Sequence, residues 1–154
     1  MNDQLQKQIE KTIKKSFWNL IKSDLKSEPQ NFNHLIILIE EIRNKIKSFT
    51  PNRIDIKNEL DEVLDDSFLN HLFIEKSLDP SHFLKLIMFL INKIKSYAAP
   101  YLDEEIYIWE EDVLEILHNE IIYADFIPYF FEKIYYFLEI IETDIENYIK
   151  KKTT

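Results

Sequence analysis

The sequence predicts an all-α protein, an antiparallel bundle of about six to seven helices in a single domain spanning residues 1–154. Three observations carry that prediction. Apolar residues recur at spacings of three and four along nearly the whole chain, the period of one helix face. No stretch alternates apolar and polar residues in the manner of a half-buried strand. The 154 residues include no glycine, so the commonest hairpin turns lose their preferred residue and the joints fall to Asn, Asp and Pro.

In the first segment Leu5, Ile9, Ile13, Phe17 and Leu20 form one apolar stripe, with Lys7, Lys11, Lys14, Lys15, Lys22 and Lys26 on the opposite side. Pro29 stops this helix, because the residue before a proline avoids the α region. A second helix, capped by Asn31, runs from about Asn33 to Phe49 and points Leu35, Leu38, Ile39, Ile42, Ile46 and Phe49 inward. Thr50-Pro51 predicts an N-cap with proline at the first helical position. The third helix then follows with Ile56, Leu60, Val63 and Leu64 inward. A short fourth segment, Phe68 to Ser77, is capped by Asp66. Asp79-Pro80 repeats the cap-plus-proline device and opens a fifth helix with the stripe Phe83, Leu86, Ile87, Leu90, Ile91 and Ile94.

Ala98-Ala99-Pro100 closes the fifth helix. Asp103-Glu104-Glu105 loads carboxylates onto the first turn of a sixth, where the helix dipole favours them. A seventh starts near Asp125, with Pro128 in its first turn, and runs through Phe131, Ile134, Leu138, Ile141 and Ile145 to Tyr148. Lys150, Lys151 and Lys152 lie at its cation-favouring end.

Composition excludes several function classes. Without glycine there is no Walker-type phosphate cradle, no Gly-rich dinucleotide fingerprint and no Gly-built nucleophile elbow. Without cysteine there are no disulfides, Zn–Cys sites or thiol catalysis, which fits a cytoplasmic setting. The N-terminus has no apolar signal core. The most apolar run, Phe83 to Ile91, is interrupted by Lys85 and too short to span a bilayer, so a soluble protein is expected. The wealth of Ile, Lys, Asn, Tyr and Phe, against only Arg43 and Arg53, points to AT-rich coding such as that of a large DNA virus or an AT-biased protist. For a viral gene the location becomes host cytoplasm or virion.

The net charge of −9 is uneven. Residues 1–50 carry +3, residues 51–100 carry −2 and residues 101–154 carry −10. Nucleic acid is not an expected partner, because phosphate neutralisation needs clustered Lys and Arg. The asymmetry suits either a basic partner for the C-terminal half or solubility alone.

No residue pattern supports catalysis, a cofactor or a metal. Glu115-Ile116-Leu117-His118 has the spacing of a carboxylate-bridged di-iron helix, but no second copy exists. Asp61-Glu62 with Asp65-Asp66 does not have EF-hand spacing, and His34, His71 and His82 read as helix-surface or helix-start residues. The basic first helix has two readings. It lies on an anionic membrane or in a partner's groove, or it packs as an ordinary amphipathic helix on its own bundle. Tyr129-Phe130-Phe131 and Tyr135-Tyr136-Phe137 surround their helix with aromatics, which means deep burial or a face reserved for another protein.

An order of short motifs then links these segments. Phe17-Trp18 and Asp24-Leu25 are followed by Pro29, His34-Leu35 and Glu40-Glu41-Ile42-Arg43. Next come Glu59-Leu60-Asp61-Glu62-Val63-Leu64-Asp65, Leu78-Asp79, Ala99-Pro100 and Asp103-Glu104-Glu105-Ile106. In this order and spacing the chain resembles the t-complex protein 11 family over roughly residues 16–106, with a weaker echo to Tyr148. It departs from the family at Leu102, where an arginine is usual, and family members are expected to continue with a long helical region.

The resemblance implies an all-helical, non-enzymatic protein acting through partners. It links the chain to modulation of cyclic-AMP/protein kinase A signalling and, in animals, to sperm function. It carries over no catalytic residue. It makes Phe17, Trp18 and Arg43, with Asp61, Glu62 and Asp65, candidate structural or interaction positions. Pro100, Asp103, Glu104 and Glu105 join them. Trp18 is expected to bury its ring and pair its N–H, and Arg43 to pair bidentately with one of the Asp61–Asp66 carboxylates. The expected function is a protein-interaction module; the alternative is a peripheral membrane protein using the lysines of the first helix.

Overall fold

The computed structural model describes residues 2–27, 30–75, 79–119 and 121–153. Its helices in chain order are α1 (Asn2–Lys26), α2 (Asn33–Phe49), α3 (Ile54–Val63), α4 (Asp66–Asn70), α5 (Pro80–Tyr97), α6 (Asp103–His118) and α7 (Tyr123–Thr153). A π-helical turn, His71–Glu75, continues α4, and a 3₁₀ turn, Pro100–Leu102, leads into α6. Among the described residues there is no strand.

The long α7 organises the bundle, packing against α1, α2 and α5. Polar pairs record the directions. Lys14 with Glu139 and Lys22 with Asp125 run α1 antiparallel to α7. Glu41 with Tyr135 and Lys45 with Glu142 run α2 parallel to it. The aromatic run of α7 divides between interior and surface. Phe130, Phe131 and Phe137 are fully buried, while Tyr129 and Tyr136 stay exposed. Trp109 of α6 stacks on Phe130 with ring centroids 5.5 Å apart and lies 5.1 Å from Phe137. Each such buried ring contributes on the order of 2–3 kcal/mol before entropy. The predicted stripe of α5 is buried in full, as are Leu35, Leu38, Ile39, Ile42 and Ile46 of α2.

The joints explain how the chain manages without glycine. Helix C-termini commonly end on a left-handed residue, usually glycine. Here the closing residues keep negative φ, Thr50 at −133°, Leu64 at −105°, Ala98 at −72° and Asn119 at −99°, and so do the residues one past the caps of α3 and α5, Asp65 at −63° and Ala99 at −68°. No position among them calls for a residue without Cβ.

Five predicted boundaries or caps are corrected. Phe32, not Asn31, holds the cap position of α2, and the Asn31 side chain accepts from Asn33 N–H at 3.0 Å just before it. Thr50-Pro51 does not open α3: the Thr50 carbonyl accepts from Arg53 N–H at 3.1 Å in a turn, and the Thr50 hydroxyl bonds Tyr97 Oη at 2.9 Å instead of capping. The helix begins at Ile54. The cap of α4 is Asp65, not Asp66; its carboxylate accepts from the Ser67 and Phe68 N–H groups at 3.1 and 3.4 Å. The α4 helix starts before Phe68, and Ser77 lies outside the described residues. Finally, α7 begins at Tyr123, because the Ile122 carbonyl already accepts from Asp125 and Phe126 N–H at 3.0 Å each. Pro128 is therefore buried inside the helix, past its first turn, and Asp125 is free to pair with Lys22. Asp79 caps α5 as predicted, accepting Ser81 N–H at 3.0 Å. The Pro29 stop lies outside the described residues.

Candidate functional site

Two surfaces, both involving α1, leave apolar or aromatic side chains open to solvent. The first is a groove of about 570 Å³ where α1, α2 and α7 meet. From α1 come Lys14, Phe17 and Trp18; from α2, Leu38 and Glu41; from α7, Glu132, Tyr135, Tyr136 and Glu139. The Trp18 ring stands edge-on to Tyr135, with centroids 6.0 Å apart, and edge-on to Phe17 at 5.3 Å. Phe17 and Trp18 are half-buried, packed on the core and open on the groove side. Trp18 therefore meets its expectation of burial only in part.

The floor of this groove is aromatic and its rim acidic. Tyr135 Oη donates to Glu41 Oε2 at 3.1 Å, and burial together with the Glu41 charge holds the phenol neutral far above its ordinary range. Lys14 Nζ donates to Glu139 Oε1 at 2.8 Å. Glu132 is exposed and has no ion pair among the described residues. The lining thus carries three carboxylates against one ammonium.

The second surface is the outward side of α1. Leu5 and Ile9 are 60% and 52% exposed, and Leu20 is 43% exposed. Of the predicted inward stripe, Leu5, Ile9 and Leu20 therefore face solvent while Phe17 packs on the core; the Ile13 side chain lies outside the described residues. The reason is competition between two apolar faces on one helix. Trp18, Ile21 and Leu25 offer the larger contact, with Ile21 and Leu25 only 1% and 2% exposed, and Lys14 and Lys22 on that side find carboxylates on α7. Two lysines expected on the free cationic face are thus used to dock α1. Lys7, Lys11, Lys15 and Lys26 remain exposed, and Lys11 and Lys15 border Leu5 and Ile9.

The other predicted positions serve the scaffold. Arg43, its side chain 17% exposed, donates from Nη1 to the Leu64 carbonyl at 3.0 Å and to Asp66 Oδ1 at 3.3 Å. Its Nε is 3.9 Å from Asp61 Oδ1, within ion-pair range and too long for a hydrogen bond. The expected bidentate pair is therefore replaced by a bridge from α2 to the α3–α4 joint, because the open carbonyl at the end of α3 takes one guanidinium donor. Asp61 also pairs with Lys47. Glu40, close by, has its carboxyl pushed up by burial and by its hydrogen bond to Asp66.

Pro100 opens the 3₁₀ turn and Asp103, Glu104 and Glu105 fill the first turn of α6. Glu105 accepts from Tyr136 Oη at 2.7 Å; Asp103 and Glu104 are exposed. Through Tyr136, Glu105 touches the edge of the Trp18 groove; none of these residues pairs with Arg43. Among the described residues no three His, Asp or Glu side chains gather to hold a metal ion, Glu115 and His118 included. None of the described helices is long and apolar enough to cross a membrane.

Of the groove lining, the sequence marks Leu38 only as core, Glu41 only as part of a motif and Tyr135 and Tyr136 as an aromatic run either buried or facing another protein; Glu132 and Glu139 carry no sequence mark. The one signal for the groove was the tyrosine-rich run of α7 beside the acidic C-terminal third. Placing Trp18 against that run required knowing that α1 and α7 are neighbours.

Comparison with known proteins completes the description. A family model described as T-complex protein 11 matches residues 1–149. Over 103 residues the chain is 27% identical to T-complex protein 11 of Mus musculus, covering 66% of this chain and 18% of that protein. It is 29% identical over 92 residues to T-complex protein 11-like X-linked protein 1 of Homo sapiens, 59% of this chain and 18% of that protein. The T-complex protein 11 homolog of Rattus norvegicus is 29% identical over 91 residues, 58% of this chain and 16% of that protein. The matches thus span less than a fifth of each relative's length. No solved structure matches.

Proposed function

The chain belongs to the T-complex protein 11 family, and from that premise we propose that it is a non-enzymatic helical module that binds a regulatory protein. One observation supports this above others: the apolar stripe of α1 that includes Leu5, Ile9 and Leu20 is left uncovered by the chain's own bundle. A surface helix ordinarily turns its apolar stripe to the core, and a polar-rimmed apolar face left outside marks a contact surface. An amphipathic helix of this kind enters a partner's groove through anchors at spacings of three and four.

The family resemblance directs the choice of partner toward cyclic-AMP/protein kinase A signalling. The test is retention of purified protein kinase A regulatory or catalytic subunits on the immobilised chain, beside the variant Leu5→Glu/Ile9→Glu. Retention by the wild type, lost in the variant, is expected. Retention no greater than on bare resin overturns the reading. The coding source belongs to the same proposal: an AT-rich genome such as that of a large DNA virus, abandoned if silent third codon positions are balanced.

A second reading rests on the lysines beside the stripe. Lys11 and Lys15 flank Leu5 and Ile9 with Gln8 and Thr12, an arrangement that also suits an anionic lipid surface. Flotation with anionic but not neutral vesicles supports it; equal and weak binding to both removes it.

A further inference from the structure

We propose that the groove between α1, α2 and α7 is a docking site for a basic, apolar-anchored peptide segment of a partner protein. This site is separate from the outward stripe of α1 and does not depend on it. The groove offers an aromatic floor in Trp18 and Tyr135, half-buried and set edge-to-face. Around that floor stand Glu41, Glu132 and Glu139, of which only Glu139 is neutralised, by Lys14. An aromatic floor under a carboxylate rim is matched best by one side-chain chemistry. The apolar stem of a lysine or arginine lies on the rings while its cationic head meets the carboxylates.

Charge selects among the occupants. An anionic membrane is repelled by the uncompensated carboxylates, and so is an acidic peptide. A second copy of this chain would have to offer one of its own basic stretches, α1 or Lys150–Lys152 at the end of α7. Use of the α7 end would show as Trp18 emission that shifts with protein concentration in the absence of peptide, and would overturn the proposal. Leu5 and Ile9 lie on a different side of α1 from Trp18. A two-fold partner therefore cannot give the stripe and receive it at the groove in the reciprocal way an isologous interface demands. A basic segment of another protein remains.

The test reads Trp18 directly. Of the two tryptophans, Trp109 is buried at 3% exposure, so Trp109→Phe leaves Trp18 as the reporter. This full-length variant is titrated with an amphipathic Lys/Leu peptide and with its Glu/Leu counterpart. A saturable blue shift of Trp18 emission is expected with the first and not the second, weakening as salt is raised. Glu132→Lys changes the rim without touching a structural contact and should weaken binding about tenfold, a difference of about 1.4 kcal/mol. Glu41→Lys should act in the same direction. Glu111→Lys, exposed on α6 and not among the residues lining the groove, should change binding less than about twofold, since a screened charge outside the lining contributes little.

Leu5→Glu/Ile9→Glu should leave the Trp18 response intact, so loss of the kinase-subunit reading and loss of this one are separately visible. Equal binding of the Glu/Leu peptide, or equal weakening by the α6 variant, overturns the proposal. So does a blue shift of Trp18 with anionic vesicles, which would assign the groove to lipid.

Discussion

The Arg43 guanidinium, reaching out from the middle of α2, donates to the Leu64 carbonyl at the end of α3 at 3.0 Å. The last carbonyls of a helix have no partner within it, and a cation there also meets the negative end of the dipole. The same nitrogen reaches Asp66 in α4, so one side chain ties three helices at a joint built without glycine.

Arg43 variants should separate these two contacts. The Asp66 side chain is 60% exposed, and an ion pair to such a group is worth little. The bond to the part-buried carbonyl carries most of the effect. Arg43→Ala should cost about 2 kcal/mol, chiefly by leaving that carbonyl unpaired. Arg43→Lys should recover about half, since a flexible ammonium on a shorter stem replaces a planar guanidinium whose orientation is fixed. Urea unfolding at unchanged slope measures this; a loss below about 0.5 kcal/mol for the alanine variant refutes it.

Trp109 presents a second separable pair of effects. Its ring lies between Phe130 and Phe137, and its indole N–H is buried with no hydrogen-bond partner among the described residues. Replacing it by alanine removes the ring and should cost about 3–5 kcal/mol. Trp109→Phe leaves a smaller void and also removes the unpaired donor, so its cost should stay near about 1 kcal/mol. Thermal unfolding of both variants gives the comparison, and a phenylalanine variant as unstable as the alanine one would count against the unpaired donor.

Much of this fold was legible because its signals are local. The α2 and α5 stripes follow from a period that one helix alone displays, and Asp79-Pro80 caps α5 through its own backbone neighbours. The errors arose where a distant group competed. Thr50 failed as a cap because Tyr97, far along the chain, takes its hydroxyl. Leu5 and Ile9 failed as core because Trp18, Ile21 and Leu25 won the face toward α7. The groove was illegible for the same reason: Trp18, Glu41 and Tyr135 share no sequence window, and only the pairing of α1, α2 and α7 brings them together.

The Arg53–Asp55 pair supplies a pH signature. Arg53 Nε and Nη2 donate to the two carboxylate oxygens of Asp55 at 2.9 and 2.7 Å. That hydrogen bonding is the main cause that lowers the Asp55 pKa to about 2, from an ordinary 3.8. Because the folded-state value is depressed, the contribution to stability is complete above the ordinary value and is lost as pH falls through about 2. In Arg53→Ala, the carboxyl carbon of Asp55 should titrate distinctly above about 2, toward the ordinary 3.8, in an NMR pH series, the backbone hydrogen bond from Ile56 remaining. A midpoint unmoved by the substitution would show that the arginine is not responsible.

Glycine introduced where helices end should destabilise this protein, contrary to its usual effect at such places. In many helices the residue past the C-terminus is left-handed, and glycine relieves a Cβ clash. Ala98 and Asn119 close α5 and α6 with φ of −72° and −99°, a region any residue occupies without strain. Glycine there relieves nothing and enlarges the freedom of the unfolded chain. Asn119→Gly also deletes the side-chain bond from Nδ2 to the Glu115 carbonyl at 2.9 Å. Ala98→Gly should therefore cost about 0.5–1 kcal/mol, and Asn119→Gly about the same or slightly more, since that exposed bond adds little. Thermal midpoints would fall by roughly 2–4 °C for each. A rise in either midpoint would mean that the helix ends adopt a left-handed turn after all.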